Sequence, residues 1–386
     1  MGYDFTTLPE RFASNAYKWQ ETQKDKEVLP LWIADMDFVV FPEMTAALED
    51  FAKSQVFGYD APKDSLYQAV LDWEEKQHGY CFSKEAILFI SGVVPAISVA
   101  IQAFSKEGEA VLINSPVYPP FARTVKLNKR RLISNSIVER NGRFEIDFEQ
   151  LEKDIVDNEV KVYVLCNPHN PGGRVWSKEE LQKIGQLCQK HGVILVSDEI
   201  HQDLTLYDNK HHSINTIDPS FKDFSLVLTS ATKTFNIAGT KNSFAIIENP
   251  KLRKAFSQQQ LVNNQHEVST LGLIATEVAY TKGKAWLEAL KPVLEDNINE
   301  VVTTLSQKTA IKVMKPGGTY LVWLDFSAYG LSHEELQHKI RKEAKLVLND
   351  GLSFGAEGDK HFRLNAAAPK SLITEALGRL VAVFGV

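Results

Sequence analysis

Between residues 86 and 250, short apolar runs alternate with amphipathic helical patterns. The runs fall at 87–90, 110–113, 160–166, 193–197, 226–229 and 244–247. One intervening helix is explicit. Ser177 and Glu180 have the spacing of a capping box, and Leu181, Ile184, Leu187 and Cys188 recur on one face. A strand with no polar side must be buried on both faces, so the alternation predicts a mostly parallel sheet between two layers of helices. In such sheets ligands bind at the carboxyl ends of the strands. Chemistry is therefore expected in the residues that follow each run.

Further on the pattern changes. Segments 311–315 and 319–325 flank Pro316-Gly317-Gly318, a hairpin signal. Ser332 and Glu335 form a second capping box, short apolar segments follow at 345–349 and 362–365, and a last helix is expected from about Lys370. These elements predict a smaller α+β unit, with its boundary in the helical stretch between 286 and 307.

Composition bounds the picture. The chain has 386 residues, 44% hydrophobic and 24% charged, which suits a globular fold of two or three domains and excludes wholesale disorder. Its 43 Lys and Arg against 49 Asp and Glu give a net charge of −6, which argues against a general nucleic-acid or anionic-membrane binder. A small anion needs only a local positive site. Cys81, Cys166 and Cys188 form no Cys-x-x-Cys pair, so neither a disulfide framework nor a zinc ribbon is expected, and a reducing, cytoplasmic compartment is. The N-terminal residues lack a signal pattern. The charge-free stretch 86–105 is broken by Ser91, Gly92, Pro95, Ser98 and Gln102, too polar for a membrane span. No His-Glu-x-x-His or cysteine cluster points to a metal.

Four strand ends carry candidate chemistry. The first run leads into Ser91-Gly92-Val93-Val94-Pro95 and a helix, whose free N–H groups could receive an anion. After 160–166, Asn167-Pro168-His169-Asn170-Pro171-Gly172-Gly173 holds Asn167, His169 and Asn170 on a stiffened loop. After 193–197 comes Asp198, a carboxylate expected to be largely buried and so to need a partner. After 226–229 comes Lys233, the one charged residue between Ser225 and Thr240, where desolvation would favour the free amine. Alone, each also fits an ordinary turn, loop, helix cap or surface lysine. Together they match the needs of pyridoxal 5′-phosphate: a cup for phosphate, an acid for the pyridine nitrogen and a lysine for the aldehyde.

At this point the sequence resembles the fold-type I pyridoxal-phosphate enzymes of the aminotransferase superfamily over nearly its whole length. It is most similar to their MalY/PatB-type branch, the cystathionine β-lyase or carbon–sulfur β-lyase group. The narrower resemblance rests on Leu31-Trp32-Ile33-Ala34-Asp35-Met36-Asp37-Phe38, Ser91-Gly92-Val93-Val94-Pro95, Ser197-Asp198-Glu199-Ile200-His201 and Thr232-Lys233-Thr234-Phe235-Asn236-Ile237-Ala238-Gly239. His201 stands where most aminotransferases of this fold carry Tyr. The resemblance implies a large domain, 46–290, with a mixed, mostly parallel seven-stranded α/β sheet. A small α+β domain follows at 291–386, and segment 1–45 packs with it.

It also implies roles. Lys233 would hold the cofactor's aldehyde and then move protons, and Asp198 would pair with the ring nitrogen. Asn170 and His201 would lie by the ring 3-oxygen, and Tyr118 would stack on the ring. The amides of Val93 and Val94, with Ser230 and Lys241, would hold the phosphate. Tyr59 would reach the phosphate of a second subunit in a homodimer. Arg363, with Asn170 and Ala34, would bind the substrate, Arg363 gripping its α-carboxylate. The implied reaction is β-elimination from L-cystathionine or a similar S-substituted L-cysteine to pyruvate, ammonia and a thiol. An aminotransferase, or a regulatory protein that binds a transcription activator, remain alternatives. Elsewhere structural roles are expected. His211-His212 reads as a solvated loop, Asp35 and Asp37 as hydrogen-bonding groups near the site entrance, and Trp19, Trp32 and Trp73 as packing or interface residues.

Overall fold

The computed structural model describes residues 2–11 and 15–386. Seven strands form the main sheet: β1 (Ile87–Ile90), β2 (Ala110–Ser115), β3 (Arg131–Ser136), β4 (Val162–Cys166), β5 (Ile194–Asp198), β6 (Ser225–Thr229) and β7 (Ser243–Ile246). Their spatial order is β1-β7-β6-β5-β4-β2-β3. The block from β6 to β3 is parallel throughout. Strand β7 runs antiparallel to both of its neighbours.

Six of these strands match the six apolar runs. The seventh, β3, carries no such run. It lies at an edge, reads Arg-Leu-Ile-Ser-Asn-Ser, and buries only Asn135 fully. An edge strand that is only partly covered, with Leu132 and Ile133 touching the two cores, does not need the apolar signature of a central one.

Side chains along the central strands alternate between two cores. Leu112, Tyr163, Leu165, Leu195 and Val227 face one layer. Val111, Val164, Val196 and Leu226 face the other, with helix Val93–Phe104 against them. Helix Lys178–His191 opens with the expected capping box and ends at Gly192, whose φ of 65° is readily adopted by glycine.

The smaller sheet contains β8 (Lys312–Met314), β9 (Leu321–Asp325), β10 (Asn349–Asp350) and β11 (His361–Asn365) in the antiparallel order β8-β9-β11-β10. The hairpin around Pro316-Gly317-Gly318 is thus formed. The last helix spans Lys370–Phe384. The boundary expected at residue 290 falls inside one continuous helix, Lys284–Lys308, which has Pro292 within it.

The N-terminal segment ties the two sheets together. Leu29–Pro30 pairs in parallel with Leu346–Val347. Further on, Asp37 is fully buried, and accepts from Lys18 Nζ at 2.7 Å and from Trp19 Nε1 at 2.9 Å. Lys18 is equally buried, and Arg11 Nε at 3.2 Å from Asp37 and Asp35 Oδ1 at 3.6 Å from Lys18 complete a network in which the buried charges are compensated. Asp37→Ala is therefore expected to lower stability by about 3–5 kcal/mol, because it removes the nearest counter-charge of the buried Lys18 ammonium. Urea denaturation of the two proteins checks this, and an unchanged midpoint would refute it.

Candidate active site

A cavity of about 620 Å³ opens where the carboxyl ends of the main sheet meet the N-terminal segment and the smaller sheet. Gly92, Val93 and Val94 after β1, Tyr118 after β2, Asn170 after β4 and Lys233 after β6 all line it. Asp198, the last residue of β5, lies between them.

Lys233 sits in the short helix Ala231–Thr234, and its Nζ donates to the carbonyl of Ala34 in the N-terminal segment. Burial lowers its pKa to about 8, with Asp35 opposing the shift and Arg363 adding to it. Asp198 accepts from the Ile200 amide at 3.1 Å, yet burial raises its pKa to about 7. Among the described residues no cation pairs with it directly, although the Lys233 charge pulls the other way. A protonated ring nitrogen placed against it would return it to the ionised form.

Arg363 projects from β11 of the smaller sheet. Its Nη1 donates to Asn170 Oδ1 at 2.7 Å, and its Nη2 donates to the Trp32 carbonyl at 2.9 Å and to Asn349 Oδ1. The guanidinium lies over the Phe354 ring, 5.0 Å from its centroid. Its Nε is buried without a hydrogen-bond partner among the described residues. Burial lowers its pKa to about 10, so it stays cationic at neutral pH. The Nδ1 of His201 is also buried and unpartnered, and burial lowers the imidazole to about 3, with Lys233 and Arg363 adding to the shift.

At the other end, helix Val93–Phe104 begins at the cavity with no side chain capping it. Its first amides have no intrahelical acceptor, which leaves Val93 and Val94 free to receive an anion. Lys241 lines the same end. Burial also raises the Tyr118 phenol above its ordinary value, so the ring stays neutral. The orphaned donors, the unpaired acid and the amide cup together fit pyridoxal 5′-phosphate.

Two expectations, for Ser230 and His211, are corrected. Ser230 is buried and does not line the cavity. Its hydroxyl donates to the Asn242 carbonyl at 2.7 Å and accepts from the Thr232 amide, so it caps the short helix. Thr232 lines the cavity instead. Tyr59, expected to serve a second subunit, is 98% exposed and does not line the cavity of its own chain. His211 is not solvated; it is 3% exposed and bonds Glu199 Oε2 at 2.9 Å, since a fully buried Glu199 needs a donor. Of the other loop residues, His169 packs edge-on to Phe144 and Trp176, and Asn167 donates to the His212 carbonyl; neither lines the cavity. Asp35 and Asp37 form the expected structural bonds. Trp19 and Trp73 are core residues, whereas Trp32 lines the cavity.

Sequence reading missed Tyr320, Asn349, Asn236 and Tyr17. Tyr320 donates to the Ala34 carbonyl at 3.0 Å. Asn236 brackets the N-terminal segment, accepting from the Met36 amide and donating to the carbonyls of Met36 and Phe38. Asn236 stood in a quoted motif, and so had a signal. Tyr320 had none, because it follows a hairpin turn far from any strand end of the main sheet.

The family description "Aminotransferase class I and II" matches residues 26–380. The chain is 40% identical over 383 residues to cystathionine beta-lyase PatB of Bacillus subtilis, covering 98% of this chain and 99% of that protein. Its fold matches cystalysin of Treponema denticola, crystallised with pyridoxal 5′-phosphate, at a TM-score of 0.96 and 35% identity over 99% of both chains. It also matches the pyridoxal-phosphate-bound C-S lyase of Staphylococcus hominis at a TM-score of 0.93 and 29% identity, covering 100% of this chain and 98% of that one. The chain belongs to the class I and II aminotransferase family, on its cystathionine β-lyase branch.

His201 is expected to stay neutral from about pH 8 down to about pH 5, since burial holds its pKa near 3. The unfolded chain would take up that proton first, so the group removes stability as pH falls below about 6.5. Ring proton shifts in an NMR titration check it; an inflection near pH 6.5 would show a solvated imidazole.

Proposed function

We propose that the cavity binds pyridoxal 5′-phosphate, and that the protein cleaves the carbon–sulfur bond of S-substituted L-cysteines such as L-cystathionine. The products are a thiol, pyruvate and ammonia. The observation that carries this reading is the meeting of the Lys233 amine, the Asp198 carboxyl and the Arg363 guanidinium in one cavity, each from a different part of the fold. The lyase names of PatB and of the Staphylococcus hominis enzyme support the reaction class.

When bound, the cofactor supplies an electron sink for the carbon between the substrate's amino and carboxylate groups. The chain's own residues do the rest. Lys233, lowered to about 8, offers roughly a tenth of its amine in the free form at pH 7, far more than an ordinary lysine does. That form holds an aldehyde and takes the proton from the substrate α-carbon. Asp198 would keep a ring nitrogen protonated. The amides of Val93 and Val94, with Lys241 and Thr232, would hold the phosphate. Tyr118 would cover the ring, and Asn170 and His201 would lie at its 3-oxygen. Arg363, with its terminal nitrogens fixed by Asn170, Asn349 and Trp32, presents a cationic fork to the α-carboxylate. Lys233 or Tyr118 returns a proton to the departing thiolate. The remaining enamine takes up water and yields pyruvate and ammonia.

The reading includes a homodimer, in which Tyr59 of each chain reaches the phosphate end of the other's cavity. Val56 and Phe57 beside it are 73% and 68% exposed, an apolar stretch that a second subunit would cover. It includes a cytoplasmic location, in keeping with three cysteines that stay free. It also includes the division into segments 1–45, 46–290 and 291–386.

Purified protein given L-cystathionine with no keto acid is expected to release pyruvate, ammonia and free thiol in equal amounts. Amino transfer that appears only once a keto acid is added would make it an aminotransferase. Lys233→Ala is expected to cut turnover by at least about 10²–10⁴-fold. Arg363→Lys is expected to raise KM by roughly tenfold or more, since a lysine cannot form the bidentate contact. Steady-state kinetics read both effects.

A further inference from the structure

The Ala34 carbonyl accepts two hydrogen bonds, one from Lys233 Nζ and one from Tyr320 Oη at 3.0 Å. The peptide that carries it is rigid. Asp35 N–H closes a tight turn onto the Ile33 carbonyl at 2.9 Å. Asn365 Nδ2 donates to the carbonyls of Ile33 at 2.6 Å and Asp35 at 2.7 Å, on either side of Ala34. Lys18 Nζ adds a bond to Asp35 O at 3.1 Å. Ala34 O is thus the carbonyl of this turn that is left to face the cavity, with a lysine and a tyrosine meeting on it. Tyr320 is fully buried, with its ring edge-on to His201 at 6.3 Å.

We infer that Tyr320 is a positioning residue for Lys233. Its hydroxyl and the Ala34 carbonyl form the seat on which the free ε-amine rests whenever that amine is not engaged with the cofactor. This rests on the function proposed above.

The reason is an acceptor that must serve two states. Lys233 has to leave Ala34 to hold an aldehyde, and has to return when a substrate amine displaces it. Ala34 is half-buried at the cavity wall, and its carbonyl loses a directed hydrogen bond whenever its donor leaves. Tyr320 keeps its bond in both states, so the lysine can come and go without orphaning Ala34 O. The hydroxyl also takes up one of the two lone pairs of that carbonyl, and so limits how well the seat stabilises an ammonium. The other charged or titratable groups facing Lys233 are Asp35, Asp198, Arg363, Lys241 and His201. None of them hydrogen-bonds its Nζ among the described residues.

Removing the hydroxyl therefore favours the charged amine. Either the carbonyl serves the ammonium alone, or a water enters and solvates it. The test is the pH dependence of Lys233 trinitrophenylation in the full chain freed of cofactor, followed by mass spectrometry of the Lys233 peptide. The wild-type midpoint is expected near 8. In Tyr320→Phe, which keeps the ring against His201, it is expected to rise by about half a pH unit or more. Tyr320→Met, which also lacks the hydroxyl, should show the same rise and replaces the Phe variant if that chain is not recovered folded. An unchanged or lowered midpoint in a folded variant overturns the inference. The readout needs neither cofactor nor turnover. A chain that fails the pyruvate assay but shows the shift would refute the proposed reaction and leave the seat standing.

Discussion

Five adjacent strands of the main sheet run parallel and are buried between two apolar layers, and this constraint organises everything else. Parallel strands bring all their carboxyl ends to one edge. Each end hands the chain to a turn or helix start, where backbone groups and polar side chains are released from the sheet. Asn170, Asp198 and Lys233 are therefore neighbours in space, although they span 170–233 in the chain. The single reversed strand, β7, lets β1 join the same sheet, so the helix start at Val93 opens on the same edge.

Depth at that edge sets the chemistry. Loss of water is the largest influence on Lys233, Asp198, His201 and Arg363 alike. It pushes the lysine towards the free amine, the carboxyl towards its acid form and the imidazole towards neutrality, all by disfavouring charge. Arg363 keeps its charge because a guanidinium starts from so high a pKa. The cavity thus brings together a lysine and an acid that both titrate close to neutral pH, one firm cation and a helix start.

The smaller sheet and the N-terminal segment close the cavity from the other side. Apolar packing, with Phe5, Phe38 and Phe41 in the shared core, is supplemented by a few buried polar anchors. Asn365 pins the turn at Ala34, Asn236 brackets Met36 and Phe38, and the Lys18–Asp37 pair fixes the strap between them. Such anchors are directional, so they fix where the Ala34 carbonyl points as well as how closely it packs.

Much of this was already present in the sequence. Apolar runs located six of seven strands, and capping boxes located two helices, because burial on both faces and helix initiation each demand particular residues locally. Asp198, Asn170 and Lys233 were legible for the same reason, since a polar residue directly after a fully apolar strand has few structural explanations. The polar edge strand β3, the reversal of β7, the inward turn of Ser230 and the burial of His211 were not legible. Each depends on a partner distant in the chain: an open sheet edge, a neighbouring strand direction, the Asn242 carbonyl and Glu199. Tyr320 belongs with them. Sequence alone determined which residues could carry the chemistry; only the tertiary structure decided that a tyrosine beyond a hairpin would share one carbonyl with the lysine, because hydrogen bonds between residues 286 positions apart exist only once the fold has closed.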